Sequence, residues 1–547
     1  MLTKSSPTLA KSLFLLTVML ALDAAVGAAE PTKSLAAAPA AAPSGTAAAP
    51  SAAEAHFDVH EYRVLGNTVL SNREIETVLY PLLGDQKTLA DVEVARTALE
   101  KAFHDRGYQT VFVDIPEQEV ADKIVRLKVT EGRLREVHIA GARYYSERKI
   151  LAAVPEASAG TVPNLPVLQQ QLSTVNIRTA DRSVVPILKA GPVPGTVDLS
   201  LKVDDRLPLH GSVELDNQNT PGTKQLRATV SMSYSNLFDQ FDSVSAQYQV
   251  APEDVGQVNV FAANYAWGAL KNGLHPSVFF INSNSNVPTV GTIGVLGKGQ
   301  IIGTRFSYPL TDALSTPQSL TLGADYKHFR ETIGLAAGPA VVTPISYVNL
   351  SLAYAGAWAS DWLQGSFGAG ANFGPRGAPN ASAAFANKRF KGQPNYFYVK
   401  IDSSLVATLP KGFQVILRAN GQFAAEPLIT NEDYSISGAD GVRGYLEAEV
   451  LADEGLKGSV QFQSPAAQWR KVQLGDVFVF YDVGRADMID PLPNEPRSTT
   501  LRSWGAGLNL LPGRWITGSL TWVDPLADGP NTHRGDSRIL FVVRGAF

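Results

Sequence analysis

The spacing of apolar residues changes character once along this chain. Between residues 57 and 206 helical and strand-like periods interleave; after 207 only a two-residue alternation remains. In the first stretch a strand over 59–65 closes at Gly66-Asn67. Ser71 with Glu74 makes a capping box for a helix. Thr88 with Asp91 opens a second helix, in which Val92, Ala95, Leu99, Ala102 and Phe103 recur at the helical spacing. That helix stops at Gly107, and strands over 110–115 and 124–130 follow. The same order then returns: a strand over 134–139 ending at Gly141, short helices over 146–153 and 166–177, and strands over 184–189 and 196–203. Tandem copies of one β-α-α-β-β motif are an internal repeat, and they predict two small α+β domains over 56–131 and 132–206.

Beyond 207 the alternation is regular. Leu226, Ala228, Val230, Met232 and Tyr234 share one face, and the intervening Arg227, Thr229, Ser231 and Ser233 share the other. The same holds for Val244, Ala246, Tyr248 and Val250, and for Val348, Leu350, Leu352 and Tyr354. A soluble β-sandwich alternates too, so length must arbitrate. Many segments run about 10–13 residues, where soluble strands average ~5–6 and a tilted strand crossing a bilayer needs ~9–11. The gaps between them alternate in size. Short ones at 236–240, 357–360, 410–411 and 512–513 contrast with long ones at 284–297, 332–342, 373–394 and 426–453. Short turns on one side and long loops on the other predict a transmembrane barrel of roughly sixteen antiparallel strands over 207–547. In the last strand Ile539, Phe541, Val543 and the terminal Phe547 fall on the lipid face, leaving Arg538 and Arg544 to point inward.

The first residues place such a barrel. Lys4 and Lys11 precede an uncharged, mostly apolar run over 12–22, and small residues over 24–29 follow. This is the pattern of a secretory signal peptide, 1–29, with cleavage after Ala28 or Ala29; the run falls far short of the ~20 apolar residues of a spanning helix. Residues 30–55, nearly all Ala, Pro, Ser, Thr and Gly, predict a disordered linker. Cysteine is absent, so an exported chain of this kind must rely on a large core or a closed sheet instead of disulfides. A net charge of −4 leaves no basic face for nucleic acid. The eight histidines are scattered, and neither a metalloprotease pattern, a nucleophile elbow nor a phosphate loop occurs; no catalytic residue, metal or cofactor is expected. The Gly-rich run 365–370 sits in an alternating strand and reads as barrel wall. Glu432, Asp433 and Asp440 cluster in a long loop, where solvated acids are expected ahead of a cation site.

Two short motifs make the barrel more particular. Val442-Arg443-Gly444-Tyr445 lies in the long gap before strand twelve, and Phe480, Asp482 and Gly484 recur at every second position of strand thirteen. With the tandem units in front, the chain resembles the two-partner secretion transporters of the ShlB/FhaC/HecB type, within the wider superfamily that includes BamA. The segment 186–203, with Gly191-Pro192 and Gly195 ahead of Asp198-Leu199, is similar to the end of that family's second POTRA domain. The resemblance covers 57–547 and implies two periplasmic POTRA domains and a sixteen-stranded outer-membrane barrel that secretes a partner protein, a large exoprotein. It also implies insertion by the barrel assembly machinery, with Phe541, Val543 and Phe547 as the C-terminal recognition signal. An assembly factor for other barrels, or less favourably a passive porin, is the alternative. The inward register of Asp482 suggests Arg443 as its bidentate partner, anchoring the loop in the lumen. Family members often carry an N-terminal plug helix; the Ala/Pro tract shows no amphipathic period for one, leaving 426–453 as the main occlusion.

Overall fold

The computed structural model describes residues 56–547 apart from 121, 178, 271, 286, 291–292, 296, 311–315, 334–340, 378, 470–471, 494 and 512–514. The expected signal peptide and the whole of the 30–55 linker therefore lie outside the described residues, as does the turn at 512–513.

The first small unit contains β1 (Phe57–Val59), β2 (Glu61–Leu65), α1 (Asn72–Leu79), β3 (Gly84–Lys87), α2 (Leu89–Asp105), β4 (Val111–Asp114) and β5 (Ile124–Glu131). Both capping boxes form, Ser71 with Glu74 and Thr88 with Asp91. Val92, Ala95, Leu99 and Phe103 of α2 are buried against Val111, Val125, Leu127 and Val129 of the sheet. The strand expected over 59–65 is in fact two. Residues 57–59 pair with β3, while β2 pairs in parallel with β5 in a sheet of order β2-β5-β4. A single alternating run gives no sign that its two halves take different partners.

The second unit repeats the plan with β6 (Arg133–Ala140), α3 (Glu147–Ala152), α4 (Leu165–Ile177), β7 (Arg182–Ala190) and β8 (Thr196–Asp205). Its sheet order is β6-β8-β7. Pro186 sits in β7, an edge strand, where a missing N–H costs no ladder bond on the open side.

The rest closes into a barrel. Its first staves are β9 (Leu209–Asp216), β10 (Arg227–Leu237), β11 (Asp242–Val250), β12 (Asn259–Ala266) and β13 (His275–Ser283). A small outlying hairpin, β14 (Val287–Val290) with β15 (Ile293–Val295), occupies the gap at 284–297. Then come β16 (Gly299–Pro309), β17 (Gln318–Ile333), β18 (Val341–Ala359) and β19 (Leu363–Phe373). The loop after β19 holds α5 (Ser382–Lys388) and leads to β20 (Phe397–Thr408) and β21 (Gln414–Ala424). The long loop that follows contains β22 (Tyr434–Ser435) and β23 (Leu451–Ala452), paired with each other. The ring finishes with β24 (Glu454–Gln463), a short β25 (Ala467–Trp469) at the turn, β26 (Val472–Asp487), β27 (Ser498–Leu510), β28 (Ile516–Pro525) and β29 (Arg538–Ala546), which pairs back onto β9. Counting β25 as an extension of its turn, sixteen antiparallel staves close the sheet.

One gap was drawn too wide from sequence. Residues 332–342 are not all loop, because β17 and β18 stay paired as far as Ile333 and Val341. At ~3.3 Å per residue, the 19 residues of β18 reach well past an apolar band ~25 Å tall. The sides of the wall follow the alternation. Val230, Met232, Val477, Val479 and Tyr481 are exposed to the lipid side, whereas Thr229, Phe478, Phe480 and Asp482 are buried inside. Exposed Trp267, Trp358, Trp362 and Trp515 ring the short-turn end, as an interfacial girdle should.

Candidate functional site

The long loop of 425–453 does not stand away from the barrel; it enters it. Gly438 and Gly444 have φ of +100° and +95°, a left-handed conformation that favours glycine and lets the backbone reverse twice. Val442 N–H donates to the Ile436 carbonyl (2.8 Å), closing the tip on itself. Gly484 in β26 then makes room for the tip: a Cβ there would sit 2.9 Å from Val442 Cγ2. Phe480 needs space of the same kind, since a Cβ on Gly505 in β27 would lie 2.6 Å from its ring.

Arg443 is held on every side. Its Nε donates to Asp482 Oδ2 (2.7 Å), its Nη2 to Asp482 Oδ1 (2.9 Å), and its backbone N–H to Oδ2 (3.2 Å). Nη1 reaches Gln461 Oε1 (3.1 Å) and Nη2 also reaches Ser459 Oγ (3.1 Å), both on β24. The guanidinium carbon lies 3.3 Å from the centre of the Phe480 ring, so the aromatic face covers the cation. Asp482 is wholly buried. Tyr445 donates to the Ala527 carbonyl (2.7 Å) in the loop between β28 and β29. The structure thus brings Val442, Arg443, Gly444 and Tyr445 against Phe480, Asp482 and Gly484. At the chain end, Phe547 pairs through its backbone with Gly211 of β9, and Val543 and Phe547 are exposed on the outer face. Phe541 N–H donates to Asn217 Oδ1 (2.9 Å). Arg538 points inward and donates to Asn219 Oδ1 (3.0 Å) beside the Gly444 carbonyl.

Residues 195–510 match the haemolysin secretion/activation protein family ShlB/FhaC/HecB, and residues 57–132 match the ShlB-type POTRA domain. The chain belongs to this family. The outer membrane transporter CdiB of Dickeya dadantii is 21% identical to it, aligned over 85% of this chain and 82% of its own. The heme/hemopexin transporter protein HuxB of Haemophilus influenzae is 22% identical, over 83% and 81%. Among solved structures, CdiB from Escherichia coli superposes with a TM-score of 0.60 at 18% identity, covering all of both chains. BamA from Haemophilus ducreyi lacking POTRA domains 1–3 gives 0.56 at 13% identity, over 90% and 100%; such likenesses concern the fold. As a ShlB/FhaC/HecB member the chain is an outer-membrane transporter that secretes a partner protein by two-partner secretion, with its POTRA region in the periplasm. It is a secretion channel by family rather than an enzyme.

Several residues of the transporter's loop escaped the sequence reading. Glu432 was expected among solvated acids, but it is buried and accepts from Lys327 Nζ (2.5 Å), Tyr398 Oη (2.7 Å) and Tyr347 Oη. Asp433 is only partly exposed, and Asp440 alone of the three stays in solvent. Glu449 accepts from the Asn531 and Thr532 amides (2.7 Å each) and from Thr532 Oγ1 (2.8 Å). Glu447 accepts from the Ala439 amide (2.6 Å), and burial, with Asp440 nearby, pushes its carboxyl up to about 7. The available signal was weak: four Glu or Asp residues over 447–454 within an otherwise apolar stretch, too many to be left unpaired if the loop folded inward.

Proposed function

We propose that the POTRA units of this transporter receive an unfolded exoprotein by strand addition, and that the inward-folded loop occupies the conduit through which the client then threads. The Arg443–Asp482 pair anchors the loop tip to the wall. The observation that carries the reading is the bidentate contact between a loop arginine and a fully buried lumen-face carboxylate. An ion pair of that kind, shielded by Phe480, holds one geometry and is costly to break from one side.

Strand addition suits the periplasmic units because both sheets have open edges. In the second, β7 is an edge strand with Val185 and Ile187 exposed on it; Asn176 already bonds both backbone groups of Val184 and Pro186 has no N–H, so the rim a client would extend is the end beyond them. Backbone pairing there provides affinity without demanding one client sequence. Inside the barrel, the lumen face of β9–β13 is lined by Ser212, Ser231, Ser233, Ser245, Asn264 and Ser277 around a cavity of about 600 Å³. Small uncharged hydroxyl and amide groups outnumber His210, Arg305 and Arg544 in this lining, and let an extended chain slide without deep binding. With no nucleotide in the periplasm, folding of the client outside supplies direction. The C-terminal Phe541, Val543 and Phe547 serve insertion by the barrel assembly machinery.

Deleting 57–206 tests the assignment. The barrel should still insert, as judged by heat-modifiable migration, while secretion of an exoprotein encoded beside this chain's gene should cease. Undiminished export by the isolated barrel would reduce the protein to a simple pore.

A further inference from the structure

The contacts of the long loop fall into two groups on different parts of the wall. At its neck, Glu432 meets Lys327 of β17, Tyr347 of β18 and Tyr398 of β20. Its neighbours Leu428 and Ile429 pack into a core with Phe329, Tyr347, Tyr396 and Phe385, the last contributed by α5 of the preceding outer loop. At its tip, Val442 and Tyr445 belong to a separate core with Ile436, Val450 and Leu501, and Arg443 is tied to β24 and β26. In a ring of sixteen, the neck is held by staves between the seventh and the eleventh, and the tip by the twelfth to sixteenth. No residue is shared by the two cores.

We infer that the loop is a strap fastened independently at both ends, with Glu432 as the positioning residue of a second fastening several staves round the wall from Arg443. This deepens the reading above, in which the loop occupies the conduit. Glu432 suits the task physically. A buried carboxylate must have its lone pairs filled, and three donors from three different staves do so. Its backbone carbonyl is also engaged, by Gln422 Nε2 (3.0 Å), which bonds the Asp453 carbonyl at the other side of the neck as well. Asp453 in turn accepts from the Leu428 amide (2.6 Å), from the Ile489 amide (2.7 Å) and from Arg389 Nη2 (3.3 Å), which joins the α5 loop to the neck. The edge-to-face ring pair of Phe385 and Tyr347, 5.5 Å between centres, presses α5 over this fastening as a cover. Freeing the tip alone would therefore leave the outer mouth closed.

The chain has no cysteine, so single cysteines report each end. Asn431→Cys marks the neck and Ser437→Cys the tip; both positions are buried. With purified full-length protein and a charged maleimide, Glu432→Ala should speed labelling at 431 at least ~tenfold and leave 437 protected, because accessibility follows local opening. Arg443→Ala should do the reverse. The pair Tyr347→Phe with Tyr398→Phe, which keeps the Lys327 ion pair, should expose 431 to a smaller degree and serves if Glu432→Ala fails to assemble. Exposure of both sites together by either substitution, or a protected 431 in the neck variants, would overturn the two-fastening strap. Labelling does not require a client, so this result stands apart from whether the loop governs secretion.

Discussion

Arg443 and Asp482 depend on each other unequally. Without Asp482 the arginine would keep Gln461, Ser459 and the Phe480 face. Without Arg443 the carboxylate would lose its direct ion-pair partner and keep Arg418, two staves away, as a countercharge; an unpaired buried charge costs ~3–5 kcal/mol in a dry site and less beside a hydrated lumen. Arg443→Ala should therefore lower secretion more than Asp482→Ala, with the barrel assembled in both. The double variant should be no worse than Arg443→Ala alone. A secretion assay on the four members of this cycle measures the coupling; losses that multiply would mean the two residues act separately. The sequence carried this pair because both residues lie in short motifs and strand alternation fixes which way Asp482 points. It did not carry Gln461, Ser459 or Glu432, whose neighbours come from other staves.

At the scale of elements, the turn between β10 and β11 works as a latch rather than a bare connection. Phe238, Asp239 and Phe241 hold φ between +54° and +59°, unusual for residues with side chains. Contacts with the second POTRA unit hold that conformation in place. Asn236 donates to the Tyr144 carbonyl (2.9 Å), Asp239 accepts from the Ser146 amide (3.2 Å), and Phe241 packs beside Tyr145 beneath the Arg182 guanidinium. Phe241→Ala should loosen the unit from the barrel mouth, losing up to ~3 kcal/mol of packing. Limited proteolysis should then cut faster near 206–208 while the barrel's heat-modifiable band is unchanged; equal cleavage in both proteins would remove the latch. The turn was legible as a short gap, but nothing in a five-residue polar-aromatic stretch announces a partner some 90 residues earlier.

For the whole molecule, orientation follows from the closed sheet. The short turns and the POTRA units lie at one end and the long loops at the other. On intact cells an impermeant thiol reagent should label Ser382→Cys or Asn387→Cys, both exposed in the α5 loop, and should not label Ser146→Cys. Surface labelling at 146 would invert the topology. Asn380 and Asp433 would be poor reporters despite lying in long loops: Asn380 is buried, bonded to both backbone groups of Val348, and Asp433 is only partly exposed.

What the sequence determined by itself was everything that repeats at short range: capping boxes, the tandem α+β units, the two faces of each stave, and the number of staves. Those features depend on residues a few positions apart, whose period forces one face inward whatever the partner. The Arg443–Asp482 pair made the inward course of the loop tip legible too; tertiary structure alone decided how the neck of the 425–453 loop is held. Glu432 in a polar loop reads as solvated until Lys327, Tyr347 and Tyr398, separated from it by as many as 105 residues, converge on it. Burial of a charge is a property of the assembled surroundings and not of its neighbours in sequence. Likewise, the split of 57–65 between two sheets required β3 and β5 to be in place. Closing the sheet also sets how far round the wall one stave lies from another, and hence that one loop can be fastened at both ends.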